Sequence, residues 1–224
     1  MNRTHLLNAI FVAAFASITC LDGAVLAQSH DTHQHRFGNA EKWSKIFDDP
    51  ARDAWQKPHE VLLALKLSAN NIVADVGAGT GYFAARLSHV VPKGRVYAVD
   101  AEPDMVKFLD ERAKREGLAN LTPVTAAPDS PGLPAPVDLV LLVDVYHHIA
   151  RRSDYFSALR ASLKTGGRVA IIDFTLTTRF GPPKSERIAP ERVKTEMASA
   201  GYRLAEEFGF LPEQFFLVFV PIKP

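Results

Sequence analysis

The sequence predicts an α/β fold: a seven-stranded, mostly parallel sheet with an antiparallel C-terminal strand pair and helices on both faces. Three observations predict it. The apolar run Ile72-Val73-Ala74 leads directly into the glycine-rich turn Asp75-Val76-Gly77-Ala78-Gly79-Thr80-Gly81. Strand-like and helix-like patterns then alternate, around the almost unbroken apolar run Val137–Val143 expected of a central strand buried on both faces. The last two strand patterns are joined by a short link containing Pro212, with no room for a crossover helix, so that pair is antiparallel.

Each element has a local reason. Pro58 fits the first turn of a helix whose apolar stripe is Val61, Leu62 and Leu65. Behind the glycine turn, Phe83, Leu87 and Val91 share one helix face, closed by Pro92 and Gly94. Val96 to Val99 is a second strand ending at Asp100. Pro103 to Arg115 is a helix with Met105, Phe108 and Leu109 inward and Gly117 as its stop. Leu121 to Thr125 is a third strand and Val137 to Val143 the fourth. Tyr155, Phe156, Leu159 and Leu163 mark a helix ended by Gly166-Gly167, before a fifth strand over Val169–Ile172. Pro190 opens a helix through Val193 and Met197 to Gly201. Tyr202–Phe208 and Phe215–Val220 are the closing strands.

The glycine spacing discriminates between ligands. A dinucleotide fingerprint, G-x-G-x-x-G/A, needs a small third residue to pack the helix on the sheet, and here that place is Tyr82. A Walker loop needs a lysine that is missing. Asp75, Gly77, Gly79 and Gly81 form instead a D-x-G-x-G-x-G pattern, which resembles motif I of class I S-adenosylmethionine (SAM)-dependent methyltransferases, with a type 11/25-like domain. With five strand–helix units and the antiparallel end pair, the resemblance covers about residues 55–222, and the sheet it implies is Rossmann-like. It implies SAM as cofactor and Gly77, Ala78, Gly79 and Gly81 around its methionyl part, with the helix opened by Tyr82 favouring the carboxylate. Asp75 is implied to help hold the amino group. Asp100, about twenty residues beyond the glycines, suits both ribose hydroxyls, with Ala101 beside the adenine. Asp129, before Leu133-Pro134, is implied at the adenine amino group. Asp144, after the central strand, is implied near the methionyl or substrate side.

Methyl transfer needs a base only where the acceptor must lose a proton. Asp144-Val145-Tyr146-His147-His148 is the candidate wall for the acceptor. The catalytic candidates are His147, His148, Tyr146 and Asp173, with a structural role for His148 favoured by the resemblance over a catalytic one. Lys184 and Arg187, between the fifth strand and the next helix, either attract an anionic acceptor or sit on a solvated loop. No metal site is expected: His147 and His148 are adjacent and diverge, and His30, His33 and His35 read as part of a solvated linker.

A net charge of +1 gives no broad basic face, so no nucleic-acid partner is expected. The N-terminal segment differs in kind. Leu6 to Cys20 is largely apolar, follows Arg3, and is interrupted by Asp22 short of bilayer-spanning length. Small residues precede Gln28. This reads as a signal peptide over residues 1–27, cleaved after Ala27, with export to the periplasm and no stable membrane span afterwards. An uncleaved segment is a membrane anchor. Cys20 is the only cysteine, so the cleaved chain has no disulfide. Residues 28–54 read as linker and N-terminal cap, in which Trp43 and Trp55 either cover the core or form a lid over a pocket. The leading function is a SAM-dependent methyltransferase with a small-molecule or lipid-like acceptor. An exported SAM- or S-adenosylhomocysteine-binding protein without transferase activity is the alternative. A nicotinamide-dependent oxidoreductase is disfavoured by Tyr82.

Overall fold

The computed structural model describes residues 38–127 and 129–222. The apolar N-terminal segment with its cleavage point, and His30, His33 and His35, lie outside the described residues. Seven strands, β1 (Ile72–Val76), β2 (Arg95–Asp100), β3 (Leu121–Thr125), β4 (Val137–Val143), β5 (Leu163–Phe174), β6 (Tyr202–Phe208) and β7 (Gln214–Pro221), form one sheet in the order β3-β2-β1-β4-β5-β7-β6. Pairs from β3 through β5 are parallel, and β7 runs against both β5 and β6. The chain leaves β1 towards β3 and returns to place β4 on the other side of β1. The order therefore reverses between β1 and β4, where an open sheet of this kind binds its ligand.

The helices are α1 (Ala40–Phe47), α2 (Asp53–Gln56), α3 (Pro58–Ala64), α4 (Tyr82–Val90), α5 (Pro103–Glu116), α6 (Arg152–Leu159) and α7 (Pro190–Ser199). The period-two alternation of β4 divides the core. Leu139, Leu141 and Val143 pack with Val61 of α3, Phe83 and Leu87 of α4 and Leu109 of α5. Val140 and Leu142 pack on the other face with Phe156 and Leu159 of α6 and Val193 and Met197 of α7. Gly117 ends α5 with φ 67°, as a left-handed cap.

One expected boundary is corrected. The helix expected to reach Leu163 stops at Leu159, with a 3-10 turn over Arg160–Ser162, and Leu163 pairs with Val137 as the first residue of β5. Gly166-Gly167 is thus not a helix stop but an irregularity inside a longer strand, where the register shifts between Val137 and Leu139. Gly166 has φ 80°, and a Cβ on Gly167 would lie 3.0 Å from the Val137 carbonyl oxygen. Glycine here answers a close backbone approach.

Helices α6 and α7 are tied through Glu196. Its carboxylate accepts from Arg152 Nε at 2.6 Å, Tyr146 Oη at 2.7 Å and Arg192 Nε at 2.8 Å. Burial works against its charge, but Arg152, Tyr146 and Arg192 outweigh burial and hold its pKa at about 2, below the ordinary 4.5. A lowered carboxylate pKa contributes stability present above pH 4.5 and lost as pH falls towards 2. Denaturant titrations from pH 6 to pH 2 will therefore show a steeper loss of stability below pH 4.5 for the wild type than for Glu196→Gln. Parallel curves for the two would exclude this clamp.

Candidate active site

The carboxyl edge of the sheet gathers the acids. The turn from β1 to α4 holds Gly77, Gly79 and Gly81 at φ 72°, 55° and 92°, a region that costs other residues about 1–2 kcal/mol. Space also restricts two of them. A Cβ on Gly77 would lie 2.3 Å from Val145 Cγ2, and one on Gly81 2.8 Å from Leu109 Cδ2. The turn satisfies its own amides. Gly77 and Ala78 donate to the Val99 carbonyl at 2.8 and 2.9 Å, Gly79 to Asp100 Oδ2 at 2.8 Å, and Gly81 to the Ala78 carbonyl at 2.9 Å. Asp100 Oδ1 accepts from the Glu102 amide at 2.9 Å. Burial nonetheless pushes its carboxyl up against those amides.

Asp75 is buried and its Oδ2 has no hydrogen-bond partner. Burial raises its pKa to about 7, although the Ala84 amide in the first turn of α4 and the charge of Arg52 both favour ionisation. Asp144 follows β4 at φ 59°. Its Oδ1 accepts from Gln214 Nε2 at 2.5 Å and its Oδ2 faces Arg52 Nη2 at 3.5 Å. Burial raises its pKa, opposed by Arg52 and reinforced by Asp173.

His147 and Asp173 form a buried pair at the exits of β4 and β5. Nδ1 lies 2.9 and 3.0 Å from the two carboxylate oxygens, and the His147 amide donates to Oδ2 at 3.1 Å. Among the described residues the ring's hydrogen bonds run through Nδ1 alone. This leaves Nε2 as the ring edge open to a further partner. Burial lowers the imidazole's proton affinity, but Asp173, then Asp144 and Glu186, reverse that and raise its pKa. The His148 ring lies 4.0 Å from the His147 ring. Tyr146 turns away, stacked on Phe156 with its hydroxyl committed to Glu196. Ala101 is exposed beside Asp100. Asp129 lies on the surface and pairs with Arg151. Arg187 spends its guanidinium on the carbonyls of Leu176, Thr178, Phe180 and Pro182, so it staples the loop after β5 instead of facing an acceptor.

Residues 39–56 cross this edge as a strap. Phe47 lies over Gly79, Asp48 pairs with Arg112 at 2.9 Å, and Trp55 stacks on Phe180 with ring centroids 4.9 Å apart. Tyr82 carries the Arg52 and Arg86 guanidiniums on its ring at 4.3 and 4.0 Å, and its hydroxyl bonds to Asp53. Trp55 therefore belongs to a cover over the ligand edge. Four side chains close a ring there: Arg52 Nε donates to Gln56 Oε1 at 2.8 Å and Gln56 Nε2 to Gln214 Oε1 at 2.7 Å, while Gln214 and Arg52 both meet Asp144. Arg52, Gln56 and Gln214 escaped motif reading because they belong to no motif, and Gln214 lies 158 residues beyond Gln56.

The residues fit a cationic, nucleoside-bearing cofactor. The turn is too tight for Cβ atoms, the edge is lined by Asp75, Asp100 and Asp144, and one buried carboxylate oxygen is unpartnered. Among the described residues no group of His, Cys, Asp and Glu is arranged to hold a metal, and no helix is long and apolar enough to cross a membrane.

Residues 74–169 match the family model described as "Methyltransferase domain". A SAM-dependent methyltransferase structure from Aquifex aeolicus superposes with TM-score 0.76 at 28% identity, over 82% of this chain and 99% of that one. Protein-L-isoaspartate O-methyltransferase of Pyrococcus abyssi is 32% identical over 54% of this chain and 55% of its own length. The ubiquinone/menaquinone biosynthesis C-methyltransferase UbiE of Pseudomonas fluorescens is 30% identical over 51% and 47%. The chain spans about half the length of these curated relatives. Residues 74–169 thus match a methyltransferase domain, and the sheet order is that of a fold shared with a SAM-dependent methyltransferase, whose cofactor is S-adenosylmethionine.

Proposed function

We propose that this protein methylates a small acceptor with an apolar body, at a heteroatom whose proton is taken by His147. The observation that carries the reading is the buried His147–Asp173 pair beside Asp144, at the opposite side of the switch point from the glycine turn. When bound, SAM supplies an already activated methyl group, so the protein's work is placement and proton removal. Asp100 would hold the ribose, and Asp75 and Asp144 the positive end of the methionyl part. Asp173 fixes the proton on Nδ1 and aims Nε2. As the heteroatom takes the methyl, its proton passes to Nε2, and Asp173 stabilises the resulting imidazolium. Trp55, Phe174 and Phe180 supply an apolar wall: Phe174 lies 6.1 Å from Trp55 and 6.2 Å from His147, centroid to centroid. The strap closes over this wall, which favours a small acceptor over a protein.

Transfer from labelled SAM to fractionated small-molecule extract tests the activity. His147→Ala will lower kcat by about 10²–10⁴-fold while S-adenosylhomocysteine affinity stays within about twofold. A base with a raised pKa is in its working form only above that pKa, so the wild-type rate will climb with pH through a limb above the ordinary histidine value. Asp173→Asn removes the main charge that raises it and will move the limb to lower pH at reduced rate. An unmoved limb would assign the limb to another group. We also propose that the chain is exported, on the strength of the apolar segment Leu6–Cys20 and the small residues before Gln28. Intact mass of protein from its host will begin at Gln28, and an intact Met1 would overturn processing.

A further inference from the structure

Resting on the SAM-dependent reading, we propose that Arg52 receives the carboxylate of the cofactor's methionyl end, so that the strap completes the cofactor site as well as covering it. The glycine turn has already spent most of its amides. The amides of Gly77, Ala78, Gly79 and Gly81 already have acceptors, and the Ala84 amide in the first turn of α4 faces Asp75. At the helix end expected to take the carboxylate, one amide is thus engaged by the chain's own acid.

The side chains around it are mostly acids: Asp75, Asp100, Asp144 and Asp173. These suit the ammonium and repel the carboxylate. Two nearby guanidiniums are committed elsewhere. Arg112 is held by Asp48, Glu116 and the Thr80 carbonyl, and Arg86 by Asp53 and the Tyr82 carbonyl. Arg52 differs. Its Nε is fixed by Gln56, its Nη1 by the Phe47 carbonyl at 2.8 Å, and its plane by the Tyr82 ring. Its ion pair with Asp144 is loose, at 3.5 Å. A guanidinium oriented by neutral partners, with its carboxylate held weakly, is ready to exchange that partner for a better one. An amino-acid group carries both charges. Its carboxylate would take Nη2 of Arg52 while its ammonium satisfies Asp144 and the orphaned Oδ2 of Asp75.

The test compares two ligands by calorimetry on the full chain. S-adenosylhomocysteine has the amino-acid end, and 5′-methylthioadenosine has the same nucleoside and sulfur without it. Arg52→Ala will weaken S-adenosylhomocysteine by about 10- to 100-fold, as for loss of a charge-assisted hydrogen bond, and leave 5′-methylthioadenosine within about twofold. Arg52→Lys, which keeps charge and loses the fork, will fall between wild type and Arg52→Ala, and carries the test if Arg52→Ala does not fold. Equal weakening of both ligands, or unchanged S-adenosylhomocysteine binding, would overturn the assignment. A wild type that binds neither ligand would instead sink the methyltransferase reading on which it rests.

Discussion

The structure is governed by the burial of carboxylates at one edge of an otherwise apolar sheet. Strands covered on both faces can carry polar groups only where they end. Here Asp75, Asp100, Asp144 and Asp173 stand at the exits of β1, β2, β4 and β5. Desolvation disfavours each charge and must be met by a partner. Asp173 has His147 and two backbone amides, Asp100 has two amides, and Asp144 has Gln214 and Arg52. Asp75 is left with an unpartnered oxygen and a pKa near 7. An edge so short of positive charge favours a cationic ligand before any motif is considered.

The same shortage explains the strap. Residues 39–56 bury little apolar surface; Ala40 and Gln56 are the fully buried members. The segment is held by ion pairs, rings over guanidiniums and the four-membered hydrogen-bonded ring. Partly exposed ion pairs contribute roughly 0–1 kcal/mol each, and cation–π contacts about 0.5–2 kcal/mol. Truncating a buried leucine of β4 costs about 2–5 kcal/mol by comparison. The strap is thus fastened by many weak polar contacts over a strongly packed base. A segment so fastened is cheaper to open locally than the sheet beneath it, as exchange of a ligand at the covered edge would require.

The fold was legible because period and punctuation agree: β4 reads as a continuous apolar run, and the glycine turn follows an apolar strand. The turn's acids were legible for the same reason, since strand ends fix their place. The long β5 was not, because Gly166-Gly167 signals a break whether it stops a helix or loosens a strand, and only pairing with Val137 decides. Choosing between His147 and His148 required knowing which ring meets Asp173, a contact across two strands. The Arg52–Gln56–Gln214–Asp144 ring depends on a hydrogen bond between Gln56 and Gln214, 158 residues apart, although Gln214 had a topological signal. It opens the one strand that runs antiparallel, opposite Phe174, and the start of such a strand must share the edge where the parallel strands end.

Asp144 links the two halves of that edge. It contacts Arg52 of the strap and Gln214 of β7, and its charge is among those that raise the proton affinity of His147. The reciprocal effect has a definite sign. A positive group placed beside Asp144 weakens the pull that Asp144 exerts on the His147 proton, so His147 moves towards its neutral form. Neutral imidazole is the form able to accept a proton from an acceptor. On the reading developed above, the ammonium of a bound cofactor at Asp144 would therefore prepare the base on the neighbouring strand. Such a coupling would need no conformational relay, because a single buried carboxylate between the two sites would carry it through its field.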